Sequence, residues 1–536
     1  MPLIHPAAIK EFLGREHDDH AWLKKIPVSE LDDQLKSLGF RAVRRDKPLD
    51  RHQKVMILLG IAYPRFAFWA AMGSGKTRVI LELLNYFWSL GKFSRGLILL
   101  PSESGVFSWV DQIEEWKIDI PFLALGNGGT DEKREAIEDF DEGLILATYH
   151  GLMWLFSKRH KKEARRINNI YRAKKFGSTL DALIPDESTK LGNQDSLIYR
   201  ICRAIIRADR GPRFVWPLAG RPFGRDPTMM WSQQYLVDEG ESLGDTLGIF
   251  RAAFFTEKKG WFKMYDYTFK EELRPKLTEC IGHRSISYSV GECLILPKKI
   301  PMKRYVTLPK ATRAYYDAAV QALWQARGDR KKIENAFLRM RQLSSGFLGY
   351  RDDETGDKAK LFFPSNPKLD LLIELATEVP EDRKFVVFHD FTPSGQMICK
   401  AMKKAKVKVE WLWGGTKNTQ QILRDFNRDP SLQGLVVNSR LGSMVLNLQI
   451  ANYVFYFESP VGAIDRDQSE ARVWRKGQTL PCFLYDLICK GTADQKILDF
   501  HSEGTGLLKA LLRHPEILGP KPRQIGPGAA KAGNRG

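Results

Sequence analysis

The sequence predicts an α/β protein with two parallel-sheet lobes and a helical insert between them. Short apolar runs alternate with helix-like stretches over residues 46–245, and the same alternation returns over residues 366–510. Strands that alternate with helices form parallel sheets joined by crossover helices. Residues 246–365, between the two lobes, have a helical and basic pattern. A chain of 536 residues is too long for one hydrophobic core and long enough for two or three domains.

Each lobe has its own set of apolar runs. Those of the first lobe are, in order, RFAFWA, GLILLP, GLILAT, LDALIP and RFVWPLAG. Those of the second lobe are KFVVFHD, VKVEWLW, GLVVNS, YVFYFES and CFLYDLI, and the alternation within VKVEWLW predicts that Trp411 and Trp413 are packed strand residues. Residues 1–45 form a polar, helix-like segment at the N-terminus. Residues 511–536 are rich in Gly, Pro and cations, so we expect a disordered tail.

The chain carries a large excess of positive charge. Lys and Arg total 83 against 64 Asp and Glu, which gives a formal net charge of +19. Such an excess favours a polyanionic partner, although a solvated basic surface has the same composition. The six cysteines are scattered without a CxxC pair, which favours free thiols in a reducing compartment. No apolar run reaches the roughly 18 residues that span a bilayer, and the N-terminus lacks a signal-peptide pattern, so we expect a cytoplasmic protein without a membrane partner.

A glycine-rich turn, AMGSGKT at residues 71–77, lies between an apolar strand and an apolar helix. In a phosphate-binding loop, glycines let backbone N–H groups surround the phosphates, a Lys neutralises their charge, and a Ser or Thr hydroxyl ligates Mg²⁺. We therefore predict a nucleotide site, with Thr77 also a metal ligand, formed by Met72, Gly73, Ser74, Gly75, Lys76 and Thr77. Because Ala70 stands where the usual pattern begins with glycine, an ordinary glycine turn is the alternative.

A pair of carboxylates follows a later strand of the same lobe. The stretch LDALIPDEST places Asp186 and Glu187 after an apolar run, with Pro185 expected to interrupt the end of the strand. An Asp in this position holds Mg²⁺, and a Glu beside it orients the attacking water. An Asp-Glu pair is common in loops, so we assign this pair to a nucleotide site only because a phosphate loop lies in the same lobe.

The second lobe offers cations for the transition state. In QSEARVWRKGQ, residues 468–478, Arg472 and Arg475 are three positions apart, a spacing that puts both on one face of a helix. Two arginines on a helix of a basic protein are also compatible with a plain solvated surface. Because the segment follows an apolar strand, we expect the two arginines to act as fingers that complete a site between the lobes.

The order and spacing of these segments resemble helicase superfamily two, and within it the Swi/Snf-type double-stranded DNA translocases, over roughly residues 48–505. LDRHQKVMI resembles the adenine-reading segment, with Gln53 in the glutamine position, and AMGSGKT resembles the first ATPase motif. Further segments resemble the family's DNA-backbone motif, Thr-Tyr segment, acidic box, LTGTP stretch and fifth motif: LILLPSESGVFSWVDQIEEW, ATYHGL, DEST, LAGRPFGRDPTMMW and NSRLGSMVLNLQIANYVFYFESP. QSEARVWRKGQ is similar to the sixth motif, and KGTADQKIL to the closing Swi/Snf segment.

This resemblance implies two RecA-like lobes and a DNA-dependent ATPase that uses ATP and Mg²⁺. It implies catalytic roles for Glu187, Gln468, Arg472 and Arg475, and contacts to the backbone of double-stranded DNA with little sequence preference. The activity it implies is translocation along duplex DNA that remodels or displaces a DNA-bound protein. The compact chain resembles bacterial or bacteriophage forms, so the expected location is the nucleoid in the cytoplasm of a bacterium or of a phage-infected host.

The chain departs from the family at the residues that couple ATP to DNA. Thr189 replaces the histidine of the acidic box, and Ala219 and Arg221 replace threonines of the third motif. Ser443 and Val445 stand at two glycines of the fifth motif. An ATP-regulated DNA clamp with weak turnover is therefore one alternative, and a strand-separating helicase acting on DNA or RNA is another.

A basic stretch in the first lobe is a candidate nucleic-acid contact. In KRHKKEARRINNIYRAKK, residues 158–175, helical spacing places a row of cations on one side of a helix. This row includes Lys158, Lys161, Arg165 and Arg172. A solvated cationic helix is the alternative, since only Glu163 balances the run.

Overall fold

The computed structural model describes residues 19–126, 129–156, 165–220, 222, 227–259, 265–326, 329–351, 357–439, 441 and 446–503. The chain divides into two compact units. The first comprises Met1–Ile295 with Ser443–Val445, and the second comprises Leu296–Gly442 with Leu446–Gly536. The predicted tail, residues 511–536, lies outside the described residues.

The described strands of the first unit form two parallel sheets and a hairpin. Their bounds are β1 Ala67–Ala70, β2 Arg95–Leu100, β3 Phe122–Ala124, β4 Gly143–Thr148, β5 Ala182–Pro185, β6 Phe214–Val215, β7 Leu218–Ala219, β8 Phe255–Lys259, β9 Tyr265–Phe269 and β10 Ser285–Tyr288. One sheet has the order β3-β4-β2-β5-β6, the other has the order β10-β1-β7, and β8 and β9 pair as an antiparallel hairpin. Almost all of β2 and β4 is buried, which is why both strands are continuous apolar runs.

The helices of the first unit cover both its sheets. Their bounds are Val28–Ser37, Arg51–Ala62, Lys76–Ser89, Glu103–Glu115, Thr130–Glu138, Tyr149–Phe156, Arg165–Gly177, Leu197–Ile206, Thr228–Asp238, Leu247–Phe254, Arg274–Gly282 and Val290–Cys293. Leu31 and Leu35 of the first of these helices lie in the same core cluster as Leu59 and Phe68. The described part of the N-terminal segment, from residue 19 onward, is therefore packed on the first lobe.

The described strands of the second unit form one parallel sheet and a hairpin. Their bounds are β11 Lys299–Val306, β12 Phe347–Arg351, β13 Lys358–Phe362, β14 Phe385–His389, β15 Val409–Leu412, β16 Gly434–Asn438, β17 Tyr453–Tyr456 and β18 Cys482–Cys489. The sheet order is β11-β18-β17-β14-β16-β15, with every pair parallel, and β12 and β13 form the hairpin. The helices are Lys310–Gln325, Arg330–Ser344, Pro367–Thr377, Thr392–Lys404, Thr419–Arg428, Ala463–Val473 and Ala493–Glu503. The predicted α/β class, with a parallel sheet in each lobe, is confirmed.

The stretch predicted as one helical insert, residues 246–365, is divided between the two units. Phe250 and Phe254 are fully buried in the first core, and β10 pairs with β1 of the first unit. β11, in contrast, pairs with β18 of the second unit along eight residues. Helical periodicity shows which face of a helix is apolar but not which core that face joins, so the pattern alone placed this boundary poorly.

No helix among the described residues is both long enough and apolar enough to cross a bilayer.

Candidate functional site

The phosphate loop follows β1 and leads into the helix Lys76–Ser89. Gly73 has a φ of +76° and Gly75 a φ of +81°, a left-handed conformation that side chains disfavour. A Cβ atom at Gly75 would also collide with the side-chain nitrogen of Gln53. The two glycines are therefore required by the backbone itself, which gives the loop the compact turn expected around a phosphate.

The lysine of the loop is held by the loop's own backbone. Lys76 Nζ donates hydrogen bonds to the carbonyl oxygens of Ala70, at 2.7 Å, and Ala71, at 3.2 Å. Both of these hydrogen-bond partners are neutral backbone carbonyls. Thr77, the predicted Mg²⁺ ligand, is half-buried in the first turn of the helix that follows.

The helix Arg51–Ala62 is attached to the phosphate loop by two neighbouring side chains. Gln53 Nε2 donates to the carbonyl oxygen of Ser74 at 3.2 Å, and His52 Nε2 lies 2.7 Å from the same oxygen. The other end of the Gln53 amide accepts the backbone N–H of Asp50 at 2.9 Å, which caps the helix. Gln53 thus fixes the loop in this structure, and its reading of adenine stays a prediction. Sequence reasoning missed His52, since a buried loop contact leaves no pattern.

Asp186 lies immediately after β5, and its carboxylate interacts electrostatically with Lys76 of the phosphate loop. Its Oδ2 accepts a hydrogen bond from Trp109 Nε1 at 3.0 Å, and its Oδ1 accepts the backbone N–H of Glu187 at 3.0 Å. Burial raises the pKa of the Asp186 carboxyl, while the Trp109 hydrogen bond and the positive charge of Lys76 lower it. The structure therefore brings the loop lysine and the first carboxylate of the acidic pair within electrostatic reach of each other. Trp109 is a site residue that the sequence analysis did not single out.

Glu187 has a strained backbone. Its φ is +52° and its ψ +51°, the left-handed region, and the short helix Ser188–Leu191 begins directly after it. A non-glycine residue held there costs about 1–3 kcal/mol, and such strain is concentrated at functional sites. The surrounding structure must therefore hold the backbone of Glu187 in this conformation.

Pro185 does not interrupt its strand, contrary to the expectation from the sequence. It is the last residue of β5 and pairs in register with Leu99, and the next N–H, that of Asp186, donates to the Leu99 carbonyl oxygen at 2.8 Å. Successive N–H groups of a strand point to opposite neighbours, so the missing N–H of Pro185 lies on the β6 side. Since β6 pairs with β5 only through Phe214 and Val215, no ladder hydrogen bond is lost there.

Two of the family departures lie in the same neighbourhood. Among the residues that the structure describes, Thr189 Oγ1 donates only to the carbonyl oxygen of Glu187, at 3.5 Å. Ala219 is buried in β7 beside Trp69, and a Cβ atom built on Gly220 would lie 3.2 Å from Met72 Cγ of the phosphate loop. The other three departures, Arg221, Ser443 and Val445, lie outside the described residues.

The two candidate arginine fingers do not share one helical face. The helix Ala463–Val473 ends between them, so Arg472 lies in its last turn and Arg475 in the turn beyond. Gln478 holds this turn, because its side-chain nitrogen donates to the carbonyl oxygens of Gln449 and Ala451 at 2.9 and 2.8 Å. The three-residue spacing assumed a continuous helix, which the chain does not form.

Arg475 is half-buried and makes no ion pair or hydrogen bond through its side chain with any residue that the structure describes. Burial lowers the pKa of its guanidinium. A desolvated guanidinium without an acidic partner favours the binding of an anion. Gln468, the other predicted catalytic residue of this segment, is half-buried within the helix.

A buried arginine anchors the helix that carries these residues. Arg466 donates two hydrogen bonds to Asp486 of β18 and one, at 2.7 Å, to Glu470, and its guanidinium lies 3.4 Å from the centre of the Tyr456 ring. Arg466 lies two residues before the predicted sixth-motif segment, 468–478, and the sequence did not indicate it, since only its partners in β17 and β18 make it important.

The candidate nucleic-acid residues fall partly outside the described chain. Lys158 and Lys161 lie outside the described residues, as does the side chain of Arg165, the first residue of the helix Arg165–Gly177. Arg172 is half-buried on that helix. Tyr171 beside it is 69% exposed, so the described part of the helix presents an exposed surface next to its cations.

The two tryptophans of the second lobe differ from each other. Trp411 lies in β15, is half-buried, and donates from Nε1 to His389 Nε2 at 3.0 Å. Trp413 lies beyond the strand, is 39% exposed, and stacks on Trp411 with ring centres 5.0 Å apart. The prediction of a packed strand residue is therefore confirmed for Trp411 and wrong for Trp413, because the strand ends at Leu412.

Comparison with known proteins gives matches to both units. Residues 367–477 match the family described as "Helicase conserved C-terminal domain", a range that includes Arg472 and Arg475. The chain is 24% identical over 496 residues to the "DNA repair and recombination protein RAD54-like" of Drosophila grimshawi, covering 83% of this chain and 60% of the relative. It is 21% identical to "Putative protein p41" of Acyrthosiphon pisum secondary endosymbiont phage 1, covering 83% of this chain and 93% of that protein.

Among solved structures, the chain is similar to the "Sulfolobus solfataricus SWI2/SNF2 ATPase core in complex with dsDNA". The identity is 20%, the TM-score is 0.39, and the match covers 88% of this chain and 94% of that one. The chain spans only 60% of the length of the RAD54-like relative, so the remaining part of that protein has no counterpart in the match.

Proposed function

We propose that this chain, a relative of the Swi/Snf-type ATPases of helicase superfamily two, is an ATP-dependent translocase on double-stranded DNA. The family resemblance drawn from the motifs is confirmed by the helicase C-terminal match and by the RAD54-like relatives. The observation that carries the proposed activity is the geometry of two segments of one unit: a left-handed glycine loop that carries Lys76 follows β1, and Asp186, held by Trp109 and by the backbone N–H of Glu187, follows β5. A loop cation and a carboxylate at the end of a strand in the same lobe are what a Mg²⁺-nucleotide requires.

The first unit would hold the nucleotide. Lys76 would neutralise the β- and γ-phosphates, and Thr77 and Asp186 would hold Mg²⁺, which neutralises phosphate charge when bound. Two oxygen ligands from the protein suit this ion, since Mg²⁺ takes its other ligands from phosphates and water. Glu187 would orient the attacking water, and its strained backbone supports a fixed position for that carboxylate.

The second unit would supply the charge that stabilises the transition state. Arg475 has the properties of a finger, because it is desolvated and has no acidic partner within the described chain. Arg472 and Gln468 lie on the helix just before it, which Arg466 anchors to β18. We infer that Arg475 acts directly on the γ-phosphate and that Arg472 and Gln468 support it.

Duplex DNA is the proposed track. A net charge of +19 favours binding to phosphates, which carry no sequence information, so little sequence preference is expected. The RAD54-like relatives are named as DNA repair and recombination proteins. The match to the phage protein covers 93% of that protein and 83% of this chain. We infer that translocation displaces or remodels a DNA-bound protein and that the protein works at the nucleoid of a bacterium or of a phage-infected host.

The basic helix gives a testable contact. Replacing Lys158, Lys161, Arg165 and Arg172 together by Gln should weaken binding to all duplex sequences alike, because phosphate contacts are lost. The slope of log K against log salt should fall by about 0.9 for each lost contact. The measurement is a salt titration of duplex binding by fluorescence anisotropy.

The control for this prediction removes the same charge elsewhere. Four exposed lysines of the second unit, Lys400, Lys403, Lys404 and Lys406, replaced by Gln, lower the net charge equally. We expect the salt slope of this control to stay close to that of the wild type. If the wild type and the variant of residues 158–175 had equal salt slopes, this basic stretch would be a solvated surface and not a DNA contact.

A triplex-displacement assay tests the translocase proposal. An enzyme that moves along an intact duplex strips a third strand from it when ATP is hydrolysed, and Glu187→Gln, which would bind ATP without hydrolysis, is the negative control. A strand-separating helicase would instead unwind a forked duplex, and a clamp would do neither while releasing little phosphate. Loss of the third strand without unwinding of the fork is the expected result.

A further inference from the structure

Two fully buried polar side chains meet behind the acidic pair. Ser188 and Gln233 are each 0% exposed, and Ser188 Oγ donates a hydrogen bond to Gln233 Oε1 at 2.9 Å. The Gln233 amide nitrogen donates to the carbonyl oxygens of Pro222, at 2.7 Å, and Met229, at 3.1 Å. Every strong hydrogen-bonding group of the Gln233 side chain is therefore used.

These bonds join three segments of the first unit. Ser188 follows Glu187 directly and opens the short helix after it. Pro222 comes shortly after β7, and the intervening Gly220 lies beside Met72 of the phosphate loop, where a Cβ atom would meet the Met72 side chain at 3.2 Å. Gln233 itself belongs to the helix Thr228–Asp238. One side chain thus connects the acidic pair to the segment that lines the phosphate loop.

Stability alone does not explain this pair. Burying hydroxyl and amide groups is unfavourable unless each is hydrogen-bonded, and replacing both partners by apolar groups of similar shape is nearly neutral. Leu and Ala would fill the same space without the need for precise geometry. A polar pair restricts the directions of its partners, and a fully satisfied buried network makes one arrangement unique.

We propose that Ser188 and Gln233 are positioning residues that link the acidic pair to the segment around Gly220 and Pro222. They would hold Glu187 in its left-handed conformation and transmit its position to that segment. Within the described part of the chain, Thr189 and Ala219 provide no such link, since the Thr189 hydroxyl bonds there only to the Glu187 backbone and Ala219 has a methyl group. This inference rests on the proposed nucleotide hydrolysis and names the coupling that serves it.

The test compares two double variants, each of which replaces a buried Gln–Ser pair. Ser188→Ala/Gln233→Leu removes the link, and with it the hydrogen bonds that the carbonyl oxygens of Pro222 and Met229 accept from Gln233. Gln234→Leu/Ser242→Ala removes a buried pair from the next position of the same helix, where Gln234 donates to Ser242 Oγ at 3.1 Å. Both of these side chains also donate to the Asp238 carboxylate, which in the variant would keep the backbone N–H groups of Gly240 and Ser242 as donors. MgADP binding stoichiometry and thermal unfolding establish that each variant is folded.

We expect the first double variant to bind MgADP with an unchanged stoichiometry and to keep KM for ATP within about twofold. Its kcat with duplex DNA should fall roughly 10- to 100-fold, because a displaced carboxylate no longer orients water. The control variant should keep both values. Hydrogen exchange gives a second readout that needs no turnover: MgADP should protect the peptide 214–222 in the wild type and not in Ser188→Ala/Gln233→Leu.

The outcomes distinguish the proposed link between Ser188 and Gln233 from the proposed ATPase activity. Wild-type kcat and wild-type protection of residues 214–222 in Ser188→Ala/Gln233→Leu would overturn the link and leave the ATPase proposal intact. An equal loss of kcat in both double variants would also overturn it, because the effect would then belong to the helix in general. A wild-type protein that binds no MgADP would overturn the proposed function, and the link with it.

Discussion

Lys76→Ala is expected to abolish ATP hydrolysis while leaving the fold intact. The γ-phosphate loses its fixed cation, whereas the replaced side chain has only backbone carbonyls of its own loop as hydrogen-bond partners. Asp186→Asn and Glu187→Gln should also remove hydrolysis, the first through Mg²⁺ and the second through the attacking water. Steady-state phosphate release, together with thermal unfolding of each variant, measures both parts of this expectation.

The three variants should differ in nucleotide binding. Asp186→Asn should weaken the dependence of ADP affinity on Mg²⁺, while Glu187→Gln should keep it, because only the first carboxylate is the proposed metal ligand. Lys92→Ala, which removes an exposed lysine of the same unit, is the control and should hydrolyse ATP at the wild-type rate. If Lys76→Ala kept wild-type turnover, the assignment of the phosphate loop would be wrong.

Arg475→Ala is expected to keep ATP binding and DNA binding and to lose the DNA-stimulated part of hydrolysis. An arginine finger contributes about 10³ or more to turnover by stabilising transition-state charge. Arg475 and Lys76 are almost 400 positions apart and lie in different compact units, so we expect DNA to promote their joint action. Hydrolysis with and without duplex DNA, for the wild type and for Arg475→Ala, is the comparison that checks this.

Lys476→Ala is the matched control, because it removes the neighbouring exposed cation. It should retain most of the DNA stimulation. The same fold of stimulation in the wild type and in Arg475→Ala would mean that Arg475 is not a finger. A wild type without stimulation would favour the ATP-regulated clamp, with Thr189, Ala219 and Arg221 as the break in coupling.

The strands that fill both cores could be predicted from the sequence because parallel strands buried on two faces are apolar along their length. β2, β4 and β14 are of this kind. β10, with the sequence SISY, and β11, with KIPMKRYV, are mostly polar or only half-buried and gave no such signal. Each pairs with a strand far away along the chain, so local pattern could not assign the residues around them to a unit.

The candidate site was predictable where its chemistry is local. The phosphate loop and the acidic pair are short contiguous segments, and their spacing within the chain carries the information. Gln233 lies 45 positions from Ser188, and His52 lies 22 positions from Ser74. Such contacts depend on which helix packs behind which strand. The break in the helix before Arg475 likewise depends on the buried side chain of Gln478, which holds the turn.

A translocase on double-stranded DNA should hydrolyse ATP in response to that DNA, and one set of hydrolysis rates measures this dependence. The rate of phosphate release is measured without nucleic acid, with single-stranded DNA, with duplex DNA and with RNA, each at the same nucleotide concentration. We expect a slow basal rate, a large stimulation by duplex DNA of any sequence, and smaller effects of single strands and RNA. Stimulation by single strands or RNA that exceeds that of duplex DNA, or no stimulation by any of them, would contradict the account.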